Sequence, residues 1–149
     1  MTTLVGTQTD FYKAIAEMLQ LENDAIDAYE TAIERLENAE YKARFQDFLA
    51  DHNRHKTLLT SILSEAGNDL PRDFDLKHIL TKGKVIIAGL INDKAILIAM
   101  GTNEDDTNKA YERLTNHENA PDDLKQALIH ALDDERRHRA WIRDTLDSM

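Results

Sequence analysis

The chain has 149 residues, with 28 Asp and Glu against 18 Lys and Arg, a formal net charge of −10, and no cysteine. That length is one domain's worth, expected to span residues 1–149 as a single bundle, and the missing thiols exclude both a disulfide framework and a thiolate metal site. The acidic balance argues against nucleic acid as a partner, because phosphates need a clustered basic face to displace their counterions.

Five glycines and two prolines are sparse, and abundant Ala, Leu, Glu, Asp and Lys favour helix, so the expected fold is all-α. Residues 1–6 lack the basic and apolar regions of a signal peptide, which makes the cytoplasm the expected location. A first helix is predicted over about residues 9–38, where Ile15, Met18, Leu19, Glu22, Ile26, Tyr29, Ile33 and Leu36 share one face. Thr9 and Asp10 supply capping oxygens at its start. Glu22 is the anomaly, a carboxylate inside an apolar stripe.

Helix two, predicted over about 41–66, carries Phe45, Phe48, Leu49, His52, His55, Leu59 and Ile62 on its stripe and stops at Gly67. Its inward anomalies are His52 and His55. Residues 67–84 include Asn68, Asp69, Pro71, Asp73 and Asp75 and read as a long connection, with one helical turn expected near residues 76–80. A connection of that length lets helices two and three run parallel.

Helix three is predicted over about 85–116. Its first half is apolar on several sides, and its second half narrows to Leu97, Met100, Glu104, Thr107, Tyr111 and Leu114, with Glu104 as the inward anomaly. The apolar stretch over residues 85–101 is interrupted by Asn92-Asp93-Lys94 and is too short to span a bilayer, so no membrane is expected. Pro121 fits the first turn of helix four, predicted over about 121–147, whose stripe is Leu124, Leu128, Leu132, Glu135, His138, Ile142 and Leu146.

The two halves of the chain repeat one another. Residues 22–30 laid over residues 104–112 bring Glu22 onto Glu104, Asp24 onto Asp106, Ala28 onto Ala110, Tyr29 onto Tyr111 and Glu30 onto Glu112 without a gap. Residues 51–55 laid over 134–138 bring Asp51 onto Asp134, Arg54 onto Arg137 and His55 onto His138. Each half is therefore a helical hairpin with an inward glutamate followed by His-x-x-His or Glu-x-x-His. Residues three apart on a helix share a face and can grip one metal ion.

Glu22, His52-x-x-His55, Glu104 and Glu135-x-x-His138, one set per helix, resemble the ferritin-like di-iron carboxylate superfamily, which includes rubrerythrin and bacterioferritin. The resemblance runs from about residue 9 to residue 147. It implies a ferritin-like four-helix bundle with one long crossover between helices two and three, and a dinuclear metal site in its core. Iron is the implied cofactor, two ions when filled, and the donor set also suits Mn or Zn. The implied partners are metal ions and dioxygen or peroxide, in an iron-related or oxidative-stress role as a ferroxidase-like oxidase or peroxidase. Glu22 and Glu104 would be terminal ligands, His55 and His138 would bind one metal each, and Glu135 would bridge. Without cysteines no rubredoxin-type domain is present, so electrons for turnover would come from an outside donor.

The sequence departs from the family at His52, where a second bridging glutamate is expected. An imidazole offers one lone pair to one metal, and three glutamates bring −3 against the +4 of two divalent ions. A pair bridged by Glu135 and solvent, a single metal on Glu104, Glu135 and His138, and a metal-free layer all stay open. In the last case protonated His52, His55 and His138 would balance Glu22, Glu104 and Glu135, since unpaired buried charges are costly. Asp51 is one position off the stripe and is not expected to substitute.

Tyr29 and Tyr111 are expected as core residues with satisfied hydroxyls, with hydrogen bonds to the ligands as the sharper alternative. Trp141 reads as packing, and His78, His117 and His130 receive no role. Arg54 and Arg137 lie on solvated faces within reach of a ligand carboxylate. The alternative function is a structural or regulatory bundle without redox chemistry, using the apolar start of helix three as a homodimer face.

Overall fold

The computed structural model describes residues 3–70 and 89–149. Four helices account for most of them: α1 (Phe11–Arg35), α2 (Ala39–Ala66), α3 (Asp93–Thr115) and α4 (Asp122–Asp147). A 3₁₀ turn at Gly67–Asp69 closes α2. The architecture is the all-α four-helix bundle expected from the periodicity.

Local chemistry explains the helix ends. The Asp10 side chain accepts the Lys13 N–H at 2.9 Å and starts α1, while Leu36 turns extended and ends it. Asn38 Oδ1 then accepts the N–H groups of Glu40 and Tyr41, so α2 begins after a connection of only three residues and must fold back on α1. At the last helix Pro121 is the cap residue itself, and the helix proper starts at Asp122.

Helix three starts later than its apolar pattern suggests. Asn92 is extended (φ −142°, ψ 161°) and its side chain accepts the Ala95 N–H at 2.8 Å, which fixes the first helical residue at Asp93 rather than near residue 85. Gly89, Leu90 and Ile91 precede it without helical structure. The Asp93 carboxylate meanwhile receives the N–H groups of Glu37 at 2.9 Å and Asn38 at 3.0 Å, tying the start of α3 to the α1–α2 turn. The helical turn expected near residues 76–80 lies outside the described residues, as does His78.

Contacts across the bundle give the helix directions. Glu22 meets Tyr111 and Tyr29 meets Glu104, so α1 and α3 run antiparallel. Asp51 meets His138 and His55 meets Asp134, so α2 and α4 do too. Because α1 also opposes α2, helices α2 and α3 point the same way. The chain must travel back along the 28 residues of α2, about 42 Å at 1.5 Å per residue, before α3 can begin.

Two apolar clusters fill the bundle. One joins Phe11, Ile15, Met18 and Leu19 to Leu59, Leu63, Leu114 and Leu128. The other joins Ala32, Leu36, Phe45 and Phe48 to Ile96, Leu97, Met100 and Ile142. Gly101 lets α3 and α4 approach there, since a Cβ would lie 3.3 Å from Ile142 Cγ2. Trp141 packs edge-on against Phe45 and Phe48, the packing role expected of it. Ile91 and Ile98, near the start of α3, are exposed. Among the described residues no helix is long and apolar enough to cross a membrane.

Candidate metal centre

Between the two apolar clusters lies a layer of charge. Glu22 of α1, His52 and His55 of α2, Glu104 of α3, and Glu135 and His138 of α4 are all buried and point into it. All six residues singled out by the sequence therefore meet in one place. Their helical spacing is the cause: each lies on the stripe that carries the apolar core residues one or two turns away.

The donor atoms form two groups. Glu22, His52, His55 and Glu135 offer atoms within 4.8 Å of one another, and so do His52, Glu104, Glu135 and His138. Either group could hold a metal ion, and His52 and Glu135 belong to both. Glu135 shows Oε1 to His55 Nδ1 at 3.2 Å and Oε2 to His138 Nδ1 at 3.4 Å.

The surrounding contacts come in pairs that exchange the two halves of the chain. Tyr111 donates its hydroxyl to Glu22 Oε1 at 2.9 Å, and Tyr29 donates to Glu104 Oε1 at 2.5 Å. His55 Nε2 meets Asp134 Oδ2 at 2.9 Å, and His138 Nε2 meets Asp51 Oδ2 at 2.8 Å. Arg54 and Arg137 each reach both aspartates. The arginines thus meet these outer carboxylates and not the inward glutamates. Thr107 breaks the pairing by donating within reach of Glu104 Oε2 at 3.2 Å and Glu135 Oε2 at 3.1 Å. Asn108 Nδ2 holds the backbone carbonyls of Glu104 and Glu135 at 2.7 and 3.0 Å, locking α3 to α4 at this level.

Charge pairing sets the protonation of the layer. Burial pushes Glu22 up, but the His52 and His55 cations beside it hold it down at about 2. Burial likewise opposes the low value of Glu104, which His138 and His52 bring well below the usual carboxylate range. Glu135 goes the other way, to about 7, because burial and the Glu104 charge outweigh His52. Burial pulls the histidines down, yet Glu135 and Glu22 raise His52 well above its ordinary value and bring His55 to about 10. Glu104 and Glu135 raise His138 to about 9. Without metal, the layer is a set of imidazolium–carboxylate pairs near neutral pH.

One atom does not fit that pairing. His138 Nδ1 is buried without a hydrogen-bond partner, although Glu104 Oε1 and Glu135 Oε2 each lie 3.4 Å away. Its ring is held by Phe48, stacked at 4.2 Å, and its outer nitrogen is engaged by Asp51. A lone pair on Nδ1 would face a point between two carboxylate oxygens. An unpartnered imidazole nitrogen beside two carboxylate oxygens is a donor set that suits a metal ion, so the residues present fit one.

Sequence reasoning missed the roles of Asp51, Asp134, Thr107 and Asn108. The signal for the aspartates was the coincidence of Asp51 with Asp134 in the repeat, immediately before the ligand pair. His117 is structural: its Nε2 meets the Gln8 carbonyl at 2.7 Å.

Comparison with curated proteins and with solved structures finds no match. One family model does match, over residues 10–117, a stretch that holds α1 to α3 with Glu22, His52, His55 and Glu104 and stops before Glu135 and His138. With most of its length under that match, the chain belongs to the family described as Domain of unknown function (DUF2383).

Proposed function

We propose that this chain is a ferritin-like metal-binding protein that holds two iron ions in the layer between its apolar clusters and uses them to react with dioxygen or peroxide. The observation that carries the reading is the doubled donor set: two four-residue groups, each with its own terminal glutamate and its own histidine, sharing His52 and Glu135. Carboxylate with imidazole is the donor chemistry of Fe and Mn and is compatible with Zn. When bound, iron would supply one-electron chemistry, Fe(II) giving an electron to the oxidant and becoming Fe(III).

The chain's own residues prepare that chemistry. Asp134 and Asp51 keep the proton of His55 and His138 on Nε2, so Nδ1 is the atom offered inward. The Tyr29 and Tyr111 hydroxyls each hold one oxygen of a terminal glutamate, while the second oxygen of Glu104 meets Thr107 and that of Glu22 meets His52. Glu135, poised at about 7, can release its proton as a cation arrives. The apolar clusters above and below exclude bulk water, which strengthens every electrostatic contact inside.

The test is metal content after anaerobic loading with Fe(II), followed by absorbance on adding oxygen, with Glu135→Ala as control. Two irons per chain and a new near-ultraviolet band, both lost in the variant, are the expected result. A chain that retains no metal, with Glu135→Ala as stable as the parent, would overturn it. That outcome would favour a second reading, a structural or regulatory bundle, which the nearly complete imidazolium–carboxylate pairing of the layer makes self-sufficient.

A further inference from the structure

His52 is the residue that sets this site apart from one bridged by two carboxylates, and the position of its ring gives it a use. Nδ1 lies 2.8 Å from Glu22 Oε2 and 3.4 Å from Glu135 Oε1, inside the donor group of His55. Nε2 lies 3.2 Å from Glu104 Oε1, inside the donor group of His138. The two ring nitrogens thus face the two half-sites, one each. The ring is fully buried and confined, with the Tyr29 ring centred 4.9 Å away and the His138 ring 5.1 Å away. In the repeat His52 occupies the place of Glu135, which also shows one atom to each half.

We propose that His52 bridges the two metal ions as an imidazolate, with Nδ1 on the ion held by Glu22 and His55 and Nε2 on the ion held by Glu104 and His138. The proposal rests on the dinuclear reading above and specifies how it is completed. Neutral imidazole has one lone pair and serves one metal, whereas imidazolate has two lone pairs in opposite directions. The first ion on Nδ1 acidifies the remaining N–H, as bound cations acidify coordinated water and thiols.

Charge supports the same form. Glu22, Glu104 and Glu135 supply −3, and an imidazolate brings the layer to −4 against the +4 of two divalent ions. An uncompensated charge at this depth would be expensive. The step is balanced without any oxidant: two N–H bonds of a His52 that donates to Glu22 and Glu104 are exchanged for two metal–nitrogen bonds, and both protons leave to solvent.

The bridge has a dimensional signature. Two metal–nitrogen bonds of about 2.0–2.1 Å on opposite sides of one ring put the ions about 6 Å apart, against about 3.5–4 Å in two-metal sites built on oxygen bridges. The full chain would be loaded anaerobically with Co(II) and examined by X-ray absorption, magnetic susceptibility and crystallography.

The expected result is two Co(II) per chain about 6 Å apart, weakly coupled, with both His52 nitrogens bound. In His52→Glu a carboxylate should replace the ring and bring the separation to about 3.5–4 Å, and in His52→Ala the coupling should vanish. A separation of about 3.5–4 Å in the parent protein, or His52 bound to one ion only, would overturn the proposal. One Co(II) per chain would overturn the bridge and leave metal binding standing, whereas no bound Co(II) would overturn both readings. Should the glutamate variant fail to fold, the distance in the parent chain still decides.

Discussion

Tyr29, on α1, donates its hydroxyl to Glu104 on α3 at 2.5 Å, and the repeat returns the contact as Tyr111 to Glu22 at 2.9 Å. Each tyrosine therefore serves the glutamate of the opposite hairpin, two turns along the bundle. These bonds tie α1 to α3 at two levels and fix one oxygen of each terminal carboxylate. Burial and the neighbouring Glu104 or Glu22 charge hold both phenols above their ordinary pKa, so each stays a donor.

Tyr29→Phe should destabilise the metal-free protein by about 1.5–3 kcal/mol, the range for a hydrogen bond to a charged group. Tyr111→Phe should cost a similar amount, because its partner is equally buried. Urea denaturation of both variants checks this. A loss confined to one tyrosine would show that the halves are alike in sequence and unlike in energetics.

Asp51 and Asp134 are expected to act through the histidines they touch. Both carboxylates are held below their ordinary range; burial opposes this, and the bonded histidine and Arg137 bring it about. Asp134→Asn should weaken the half-site of His55, and Asp51→Asn that of His138, each by about 10–100-fold in metal affinity. Chelator competition measures it. Equal affinity in the variants and the parent would mean that the outer contacts do not orient the rings.

The bundle and its polar layer were legible because burial is periodic. A glutamate or histidine on an apolar stripe is visible without coordinates, and the offset between Glu22 and Glu104 in the repeat locates the layer. The outer ring was not visible. Asp51, Asp134, Arg54 and Arg137 lie off the stripe, where a charged residue reads as solvated, and only the antiparallel crossing of α2 and α4 brings the aspartates onto the histidines and the arginines onto the aspartates. Equally, apolar composition could not reveal where α3 begins, since the decision rests on one side-chain hydrogen bond of Asn92.

That start can be tested by substitution. Alanine is a better helix former than asparagine in a helix interior, so Asn92→Ala would stabilise a helix running from residue 85. At a cap it should destabilise by about 0.5–2 kcal/mol. The sign of the change in urea midpoint distinguishes the two, and destabilisation is expected. Asp93→Ala should add a smaller loss, because it removes the acceptor for Glu37 and Asn38 at an exposed position.

His55 at about 10 and His138 at about 9 are raised above an unfolded value near 6.5. Groups raised in the folded state contribute stability that is full below the unfolded value and is lost as pH rises through the folded one. The metal-free protein should therefore lose stability steadily between about pH 7 and pH 10. At the acid end Glu22, lowered to about 2, contributes stability above its unfolded value that disappears as pH falls toward 2. Metal binding should show the opposite slope to the histidines: an entering cation must displace their Nδ1 protons, so affinity should rise with pH from about 6.5 to 9. Thermal melts of chelator-treated and loaded protein across that range read both effects. The two forms should separate progressively as the pH is raised, and parallel curves would mean that the histidines are not where the metal binds.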